Sequence, residues 1–425
     1  MSTRAGIAVT GTEVLTGRVA DRNGPWLAEQ LRLIGVDVAH TVVVGDRRED
    51  LLAALGFLAG TGVDLVITSG GLGPTADDLT AEVVAQFQGR PMVLDGELEA
   101  HIAAIIERLL AGRGVRWDAE ATAAGTRKQA LVPDGAAVLA PVGTAPGLVV
   151  PAADGRTGPP VLVLPGPPRE LQGMWPAAVA DPVVRAALAG RRELRQATLR
   201  LWGTPEAELA ATLRAHEAIL GDLEITTCLR DGELEIVTRY GPDAQPSYEK
   251  FAAAIAAAYP DTLFSADGRT IDEIVAETLL ARGLTIATAE SCTAGLLAGR
   301  LADRPGSSAY LLGGLVTYAN EAKSQLAGVP AELIERVGAV SAEVAAAMAD
   351  GARSRLGTDV GVGITGIAGP GGGSADKPVG LVHLCASTAS ASLARRVVIP
   401  GSRADVRRRT TEIALHLVRQ LLAPA

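Results

Sequence analysis

Two rhythms of apolar residues alternate along the first part of the chain. GIAVTG (6–11) is a short apolar run, which predicts a buried strand. GPWLAEQLRLIG (24–35) carries apolar residues at helical spacing, VDVAHTVVV (36–44) returns to a strand, and REDLLAALGFLAG (48–60) to a helix. VDLVITS (63–69) is the next strand. This order predicts a doubly wound, mostly parallel sheet with helices on both faces. Further on, GLVVPAADGRTGPPVLVLPG reads as two strands, 147–151 and 160–164, around an Asp154–Gly155 turn.

From about residue 171 the pattern changes. ATLRLWG, a helix from Pro205 with Thr204 as N-cap, LEITTCL, ELEIVTRY and a helix over 246–258 give a small α+β segment of order βαββα. It holds no cluster of reactive side chains. The turn-rich YPDTLFSADGRT (259–270) marks a boundary. A third, α/β segment follows. It contains the helix IDEIVAETLLARG, the apolar run LTIAT (284–288) and the small-residue helical pattern AGLLAGRLA (294–302). The helix SAEVAAAMADGARSRLG (341–357) and the strands VGVGIT (360–365) and GLVHLCAS (380–387) complete it. The expected domains are 1–170, 171–262 and 266–425.

Composition sharpens this picture. A chain of 425 residues is too long for one ordinary core, and 48% apolar with 3% aromatic residues suits α/β layers packed with small aliphatic side chains. The net charge of −9 argues against a general nucleic-acid binder, which needs a basic face to displace counterions. RRR at 407–409 is the densest basic stretch, and its helical pattern reads as a solvated face. The cysteines, Cys228, Cys292 and Cys385, form no paired framework. No apolar signal core and no long apolar window occur, so a cytoplasmic protein with no membrane partner is expected. Only four of 39 basic residues are lysine: Lys128, Lys250, Lys323 and Lys377. Such a chain can reserve lysine for places that need a compact, deprotonatable amine.

Candidate chemistry gathers in two groups of loops. GGLGPTADDLT (70–80) follows a strand and opens a helix, where backbone N–H groups and the helix terminus favour an anion. Asp77 and Asp78, read as lying in the first helical turn, fit a hard cation bridging phosphate oxygens. For the aspartates alone a capping box formed by Thr75 and Asp78 is the stronger reading. GTE (11–13) and GTAPG (143–147) are further polar loops after apolar runs, and loops converging on one sheet edge favour a phosphate site.

The second group begins at TAESCTAG (288–295), where Ser291, Cys292 and Thr293 sit at a strand-to-helix turn. A serine nucleophile needs a base. His383 lies in a strand pattern and His416 on the C-terminal helix, so neither is a convincing partner. GGLVTYANEAKSQLAG (313–328) offers Lys323 on a helix after a strand ending near Tyr318. Partial burial would lower the lysine pKa and make the amine a usable base, with Tyr318 to relay a proton or orient the pair. In GITGIAGPGGGSADKPVG (363–380), Gly366, Gly369 and Gly371–Gly373 would expose backbone donors to a phosphate or carboxylate, and Lys377 adds a charge. A flexible turn explains the same glycines.

Together these stretches resemble the CinA family (competence/damage-inducible protein A) over nearly the full chain. GTEVLTGRVADRN (11–23), GGLGPTADDLT, GTAPG and LPGPPREL (164–171) are similar to its molybdopterin-binding-like N-terminal domain. AESCTAG, VTYANEAK, GAVSAEVAAAMADGA and TGIAGPGGG…KPVG are similar to its C-terminal domain, and the middle segment to its KH-like insert. The resemblance implies a C-terminal nicotinamide-nucleotide amidase that converts nicotinamide mononucleotide and water to nicotinate mononucleotide and ammonia, without a cofactor. It makes Ser291 the nucleophile and Tyr318 and Lys323 its activating partners. Substrate contacts are implied at Thr293, Gly295, Asn320, Thr365, Gly366, Gly369, Gly371, Gly372 and Lys377.

The resemblance also implies a metal-dependent ADP-ribose pyrophosphatase in the N-terminal domain. Its divalent cation would be held by Asp78, Asp77 and Glu13, with substrate contacts at Gly70, Gly71, Gly73, Thr75, Lys128, Gly143 and Thr144. A homodimer is expected. Two departures stand out. Ala294 replaces the first of the paired glycines in the family's ESCTGG, and Ala140–Val142 stands where an asparagine commonly precedes GTAPG. The competing readings are a non-catalytic nucleotide- or molybdopterin-binding protein and an accessory of DNA uptake or recombination.

Overall fold

The computed structural model describes residues 3–111 and 118–423. It divides into two compact units, one running to Gln196 and including Tyr240–Asp243, the other made of Ala197–Arg239 and Ala244 onward.

The first unit opens with β1 (Arg4–Thr10), α1 (Thr12–Leu15), α2 (Asn23–Leu33), β2 (Asp37–Val44), α3 (Arg48–Gly60) and β3 (Leu65–Ser69). Then come α4 (Thr80–Gln88), β4 (Met92–Leu94), α5 (Gly96–Ala111), α6 (Ala119–Gln129) and β5 (Leu131–Pro133). It closes with β6 (Ala137–Leu139), β7 (Gly147–Val150), β8 (Val161–Leu164), α7 (Pro168–Ala180) and α8 (Pro182–Ala187). The main sheet has the order β2-β1-β3-β8-β7-β6, and β4 pairs with β5 as a separate ribbon. Strands β2, β1, β3 and β8 run parallel, while β7 and β6 are antiparallel. Helices cover both faces, which is why β3, β7 and β8 are buried throughout and read as unbroken apolar runs. Leu171, Met174, Trp175, Ala178, Val184 and Leu188 pack with Ala5, Ile7 and Val9. A boundary at 170 therefore falls inside α7, a helix that the N-terminal core requires.

The second unit begins with β9 (Arg195–Trp202), α9 (Glu206–Ala215), α10 (Glu217–Leu220), β10 (Leu223–Arg230), β11 (Glu233–Tyr240), α11 (Gln245–Ala258) and β12 (Leu263–Ser265). The sheet order is β10-β11-β9-β12. Asp231 and Gly232, with φ of 55° and 99°, make the two-residue turn between β10 and β11. Pro205, not Thr204, precedes the first helical residue of α9, and the Thr204 hydroxyl instead donates to that of Thr262 at 2.7 Å.

The rest of the unit is α12 (Ile271–Arg282), β13 (Ile286–Glu290), α13 (Leu296–Ala302), β14 (Leu311–Val316), α14 (Asn320–Ala327) and α15 (Ala331–Val337). They lead to α16 (Ala342–Leu356), β15 (Val360–Gly366), β16 (Leu381–Ser387), β17 (Ser392–Val398) and α17 (Arg403–Leu421). The sheet runs β14-β13-β15-β16-β17, with β14, β13 and β15 parallel and β16 and β17 antiparallel. Val360, Val362 and Ile364 fill one side of the core with α12 and α17 residues. Gly361 and Gly363 face α16, where a Cβ would strike the carbonyls of Ala349 and Ala345. The alanine-rich sequence of α16 thus serves near-backbone contact between helix and strand. No helix among the described residues is long and apolar enough to cross a membrane.

Candidate functional site

Parallel strands deliver three loops of the second unit to one edge. β13 ends at Glu290, β14 at Val316 and β15 at Gly366, so TAESCTAG, the TYANEAK corner and the glycine loop emerge together. The carboxyl edge of a parallel sheet is where such folds bind ligands.

Ser291 sits on the turn after β13, its N–H donating to the Ile364 carbonyl at 2.9 Å. Glu290 shapes that turn. It is fully buried, and its carboxylate accepts the N–H groups of Gly295, Leu297 and Ala298 at 3.0, 3.1 and 2.8 Å, plus the Thr288 hydroxyl at 3.0 Å. These N–H groups at the start of α13 would otherwise lack partners. Arg407 grips the same turn from α17, donating to the carbonyls of Cys292 (3.1 Å) and Thr293 (2.9 Å).

Lys323 lies in the first turn of α14 and is 2% exposed, with Nζ 3.2 Å from Ser291 Oγ. Nζ also meets the carbonyls of Thr317 at 3.1 Å and Tyr318 at 3.2 Å. Burial pushes its pKa below the ordinary lysine value, against the opposing influence of Cys292 and Glu321. A neutral amine has two hydrogens and one lone pair. Donating both hydrogens to the two carbonyls turns the lone pair towards Ser291. The geometry therefore pairs a serine with an amine able to take its proton.

The other two candidates on the turn differ from Ser291. Burial raises the Cys292 thiol to about 11, which removes the thiolate at neutral pH. Thr293 is fully buried, and its hydroxyl has no hydrogen-bond partner. Ala294 has φ of 52°, the left-handed region that suits the glycine it replaces. Ala294→Gly is expected to raise stability by about 0.5 kcal/mol, since relief of roughly 1 kcal/mol of backbone strain exceeds the added unfolded-state entropy. Thermal unfolding of the two proteins checks this, and a lower midpoint for Ala294→Gly would contradict it.

The remaining residues divide. Gly295, in the left-handed region, lies where the turn enters α13, and Asn320 is the exposed first residue of α14. The Tyr318 side chain is 54% exposed, and its phenol accepts from Arg403 at 2.7 Å. Its part in holding Lys323 is played by its carbonyl. Arg403 also donates to the Gly369 carbonyl at 3.0 Å, linking the tyrosine corner to the glycine loop. Gly366 has no room for a Cβ beside the Leu381 carbonyl, and Gly369 and Gly372 have φ of 79° and 84°. Gly371 is open to solvent. Thr365 is buried with its hydroxyl on the Ala339 carbonyl at 2.7 Å. Lys377 is tied to the carbonyls of Val337 and Val340 at 3.0 and 2.8 Å.

In the first unit, a cleft of about 590 Å³ opens at the carboxyl edge of β1, β3 and β8, lined by Gly11, Glu13, Gly70, Gly71, Gly73, Asp77, Asp78 and Thr144 among others. Gly143 borders it, lying so close to Glu170 that a Cβ would strike that carboxylate. Asp77 and Asp78 are not in the first turn of α4, which begins at Thr80 with Leu79 as its N-cap. Thr75 and Asp78 therefore close a turn before the helix, with Thr75 N–H on Asp78 Oδ2 at 2.9 Å. The Thr75 hydroxyl lies 2.5 and 2.6 Å from the two carboxylates, and it is the main cause of the lowered Asp77 pKa. Lys128 donates to the Thr75 carbonyl. Glu13 lines the cleft but does not converge with both aspartates. Among the described residues, only Glu233, Glu412 and His416 bring three ligand atoms within 4.8 Å of one another.

Several site residues escaped the sequence reading. Glu290 lies inside TAESCTAG, but nothing in periodicity distinguishes a turn-shaping carboxylate from a surface one. The pattern of RRR reads as a solvated face, and the structure corrects this for Arg407, which turns inward onto the Cys292 and Thr293 carbonyls. In the cleft, Asn23 closes the GTEVLTGRVADRN stretch. Its amide donates to Ser69 Oγ at 2.8 Å and the Gly166 carbonyl at 2.7 Å, leaving its own carbonyl oxygen buried without a partner. Glu170, raised in pKa by burial, lines the cleft as part of LPGPPREL.

Comparison with known proteins agrees with both halves. The family model described as the CinA C-terminal domain matches residues 268–422, and that described as a probable molybdopterin binding domain matches residues 6–186. A CinA-like protein of Mycobacterium sp. (strain MCS) is 58% identical over 426 residues, 99% of each chain. One from Mycolicibacterium gilvum (strain PYR-GCK) is 57% identical over 427 residues, 100% of this chain and 99% of that protein. Among solved structures, competence/damage inducible protein CihA from Agrobacterium tumefaciens is 42% identical, covering 36% of this chain and 94% of that one, with a TM-score of 0.35. Identity of this degree along the whole chain places the protein in the CinA family, with a molybdopterin-binding-like domain preceding the CinA C-terminal domain.

Proposed function

We propose that the Ser291 site hydrolyses the carboxamide of nicotinamide mononucleotide, giving nicotinate mononucleotide and ammonia. The observation that carries this reading is the buried Lys323 amine 3.2 Å from Ser291 Oγ. Ser291 Oγ bonds to the carboxamide carbon as its proton passes to Lys323 Nζ. The carbon–nitrogen bond then breaks, and ammonia leaves with that proton. Water, giving a proton to the same amine, attacks the acyl-serine, releases the carboxylate and restores the serine. On this reading Arg403, which bonds to Tyr318 and Gly369, would meet the substrate phosphate. Purified full-length protein should release ammonia and nicotinate mononucleotide in equal amounts. An intact substrate after prolonged incubation would end this reading.

For the cleft of the first unit we propose metal-dependent cleavage of the ADP-ribose pyrophosphate. Asp77 and Asp78, two carboxylates on one turn beside the glycine loop, fit a hard divalent cation that completes its shell with substrate phosphate oxygens. When bound, the cation would stabilise charge building on the phosphoryl oxygens. Glycines 70, 71 and 73 let the loop pack against Thr10, Thr80 and Asp78, where its N–H groups would meet the phosphates, and Lys128 braces the turn through the Thr75 carbonyl. EDTA and Asp78→Asn should each depress AMP formation from ADP-ribose by at least about tenfold while leaving ammonia release unchanged. AMP formation insensitive to both would remove the two aspartates from the chemistry.

A further inference from the structure

Helix α17 meets the sheet formed by β9–β12 at a cluster that the Ser291 site does not use. Glu233 on β11 and Glu412 and His416 on α17 are buried, with one oxygen or nitrogen of each within 4.8 Å of the others. His416 Nε2 lies 2.7 Å from Glu233 Oε1, and its ring stacks on Trp202 at 4.1 Å with Phe264 edge-on at 4.7 Å. Arg300 of α13 reaches Glu412 at 2.5 Å and Asp272 of α12 at 2.7 Å. Arg200 of β9 reaches Glu235 at 2.5 Å and Glu233 at 3.9 Å. Arg395 of β17 lies over the Trp202 ring and Arg419 of α17 over Phe264.

Two carboxylates brought together away from water repel one another, and the arginines facing them are shared, Arg300 with Asp272 and Arg200 with Glu235, so a further cation or a proton is needed between them. His416 does not supply the charge. Burial, helped by Arg419, drives its pKa down to about 3, so the neutral ring donates Nε2–H to Glu233 and leaves Nδ1 without a partner. A divalent metal would enter a cluster whose two glutamates already face Arg200 and Arg300, with Arg395 and Arg419 behind them.

We propose that Glu233 and Glu412 hold a single proton between them, and that this proton seats the β9–β12 sheet on helix α17. The Glu412 carboxyl is raised to about 7, by burial first and then by its hydrogen bond with Glu233, and burial also raises Glu233. Both values lie above those of the unfolded chain, so the folded protein binds more protons between pH 4.5, the ordinary glutamate value, and about 7. The stabilisation is complete below that window and is lost as pH rises through it. The ion pair of Arg408 with Asp231 crosses the same seam.

The test is thermal unfolding of the full chain in EDTA from about pH 5 to about pH 8, for wild type, Glu412→Gln and Glu233→Gln. The wild-type midpoint should fall by several degrees more than that of either variant, because an amide keeps its hydrogens at every pH. The infrared spectrum at about pH 6 should show a protonated-carboxyl C=O stretch that Glu412→Gln lacks. Parallel midpoint curves in all three proteins, or identical carboxyl bands, would overturn the proposal. So would zinc or manganese raising the wild-type midpoint but not that of Glu412→Gln, which would assign the cluster to a metal. If Glu412→Gln does not fold, Glu233→Gln and the wild-type band at the two pH extremes give the same decision. None of these readouts needs a substrate, so they stand or fall separately from the amidase reading.

Discussion

Replacing Ser291 by alanine is expected to lower ammonia release from nicotinamide mononucleotide by roughly four to six orders of magnitude, the scale seen when a covalent nucleophile is removed. The fold should survive, because the Ser291 backbone bond to Ile364 and the Glu290 and Arg407 contacts that form the turn do not involve its hydroxyl. Cys292→Ala is the matched control. Its thiol is buried and raised to about 11, so its loss should leave the rate within a few-fold of wild type. A Ser291→Ala protein that keeps full rate, with Cys292→Ala inactive, would transfer the chemistry to the thiol. AMP formation from ADP-ribose, assigned to the other unit, should be unchanged in both variants.

Lys323 gives the second large effect. Lys323→Met should cut kcat/KM by about 10²–10⁴-fold, the usual worth of a positioned general base. It should also destabilise the protein by about 1–3 kcal/mol, since the Thr317 and Tyr318 carbonyls lose their donor. Lys323→Arg separates the two roles. A guanidinium still donates to carbonyls but does not deprotonate, so activity should be lost even where stability is kept. In the wild type the active form is the neutral amine. The rate should therefore rise with pH and level off below the ordinary lysine pKa, because burial lowers the Lys323 value. A profile flat down to acid pH would show that Lys323 is not the base.

Much of this arrangement was readable in the chain. The alternation of apolar runs and helical spacing set out the parallel part of both large sheets, and the loops after their strands carry Ser291, Lys323 and the glycine-rich stretches. Local pattern failed where a residue's role depends on a distant partner. RRR at 407–409 has the spacing of a solvated face, yet Arg407 reaches the Cys292 and Thr293 carbonyls, 115 and 114 positions away. Glu233 and His416 are 183 positions apart, and no periodicity joins them. The pattern of PTADD matches a capping box, so its aspartates read as the first turn of a helix. The helix begins two residues later, at Thr80. A domain bound at 170 cuts helix α7, Pro168–Ala180, whose apolar face belongs to the preceding core.

The four lysines carry a consequence for chemical labelling. Lys128, Lys323 and Lys377 each donate to backbone carbonyls of neighbouring loops, at Thr75, at Thr317 and Tyr318, and at Val337 and Val340. Lys250 alone projects from an exposed helix position. An acylating reagent applied to the native protein should therefore modify Lys250 first, the two partly covered amines more slowly, and Lys323 only as its strand and helix separate. Mass spectrometry of so few side chains would follow the opening of each loop one residue at a time, with little background from the arginine-rich surface.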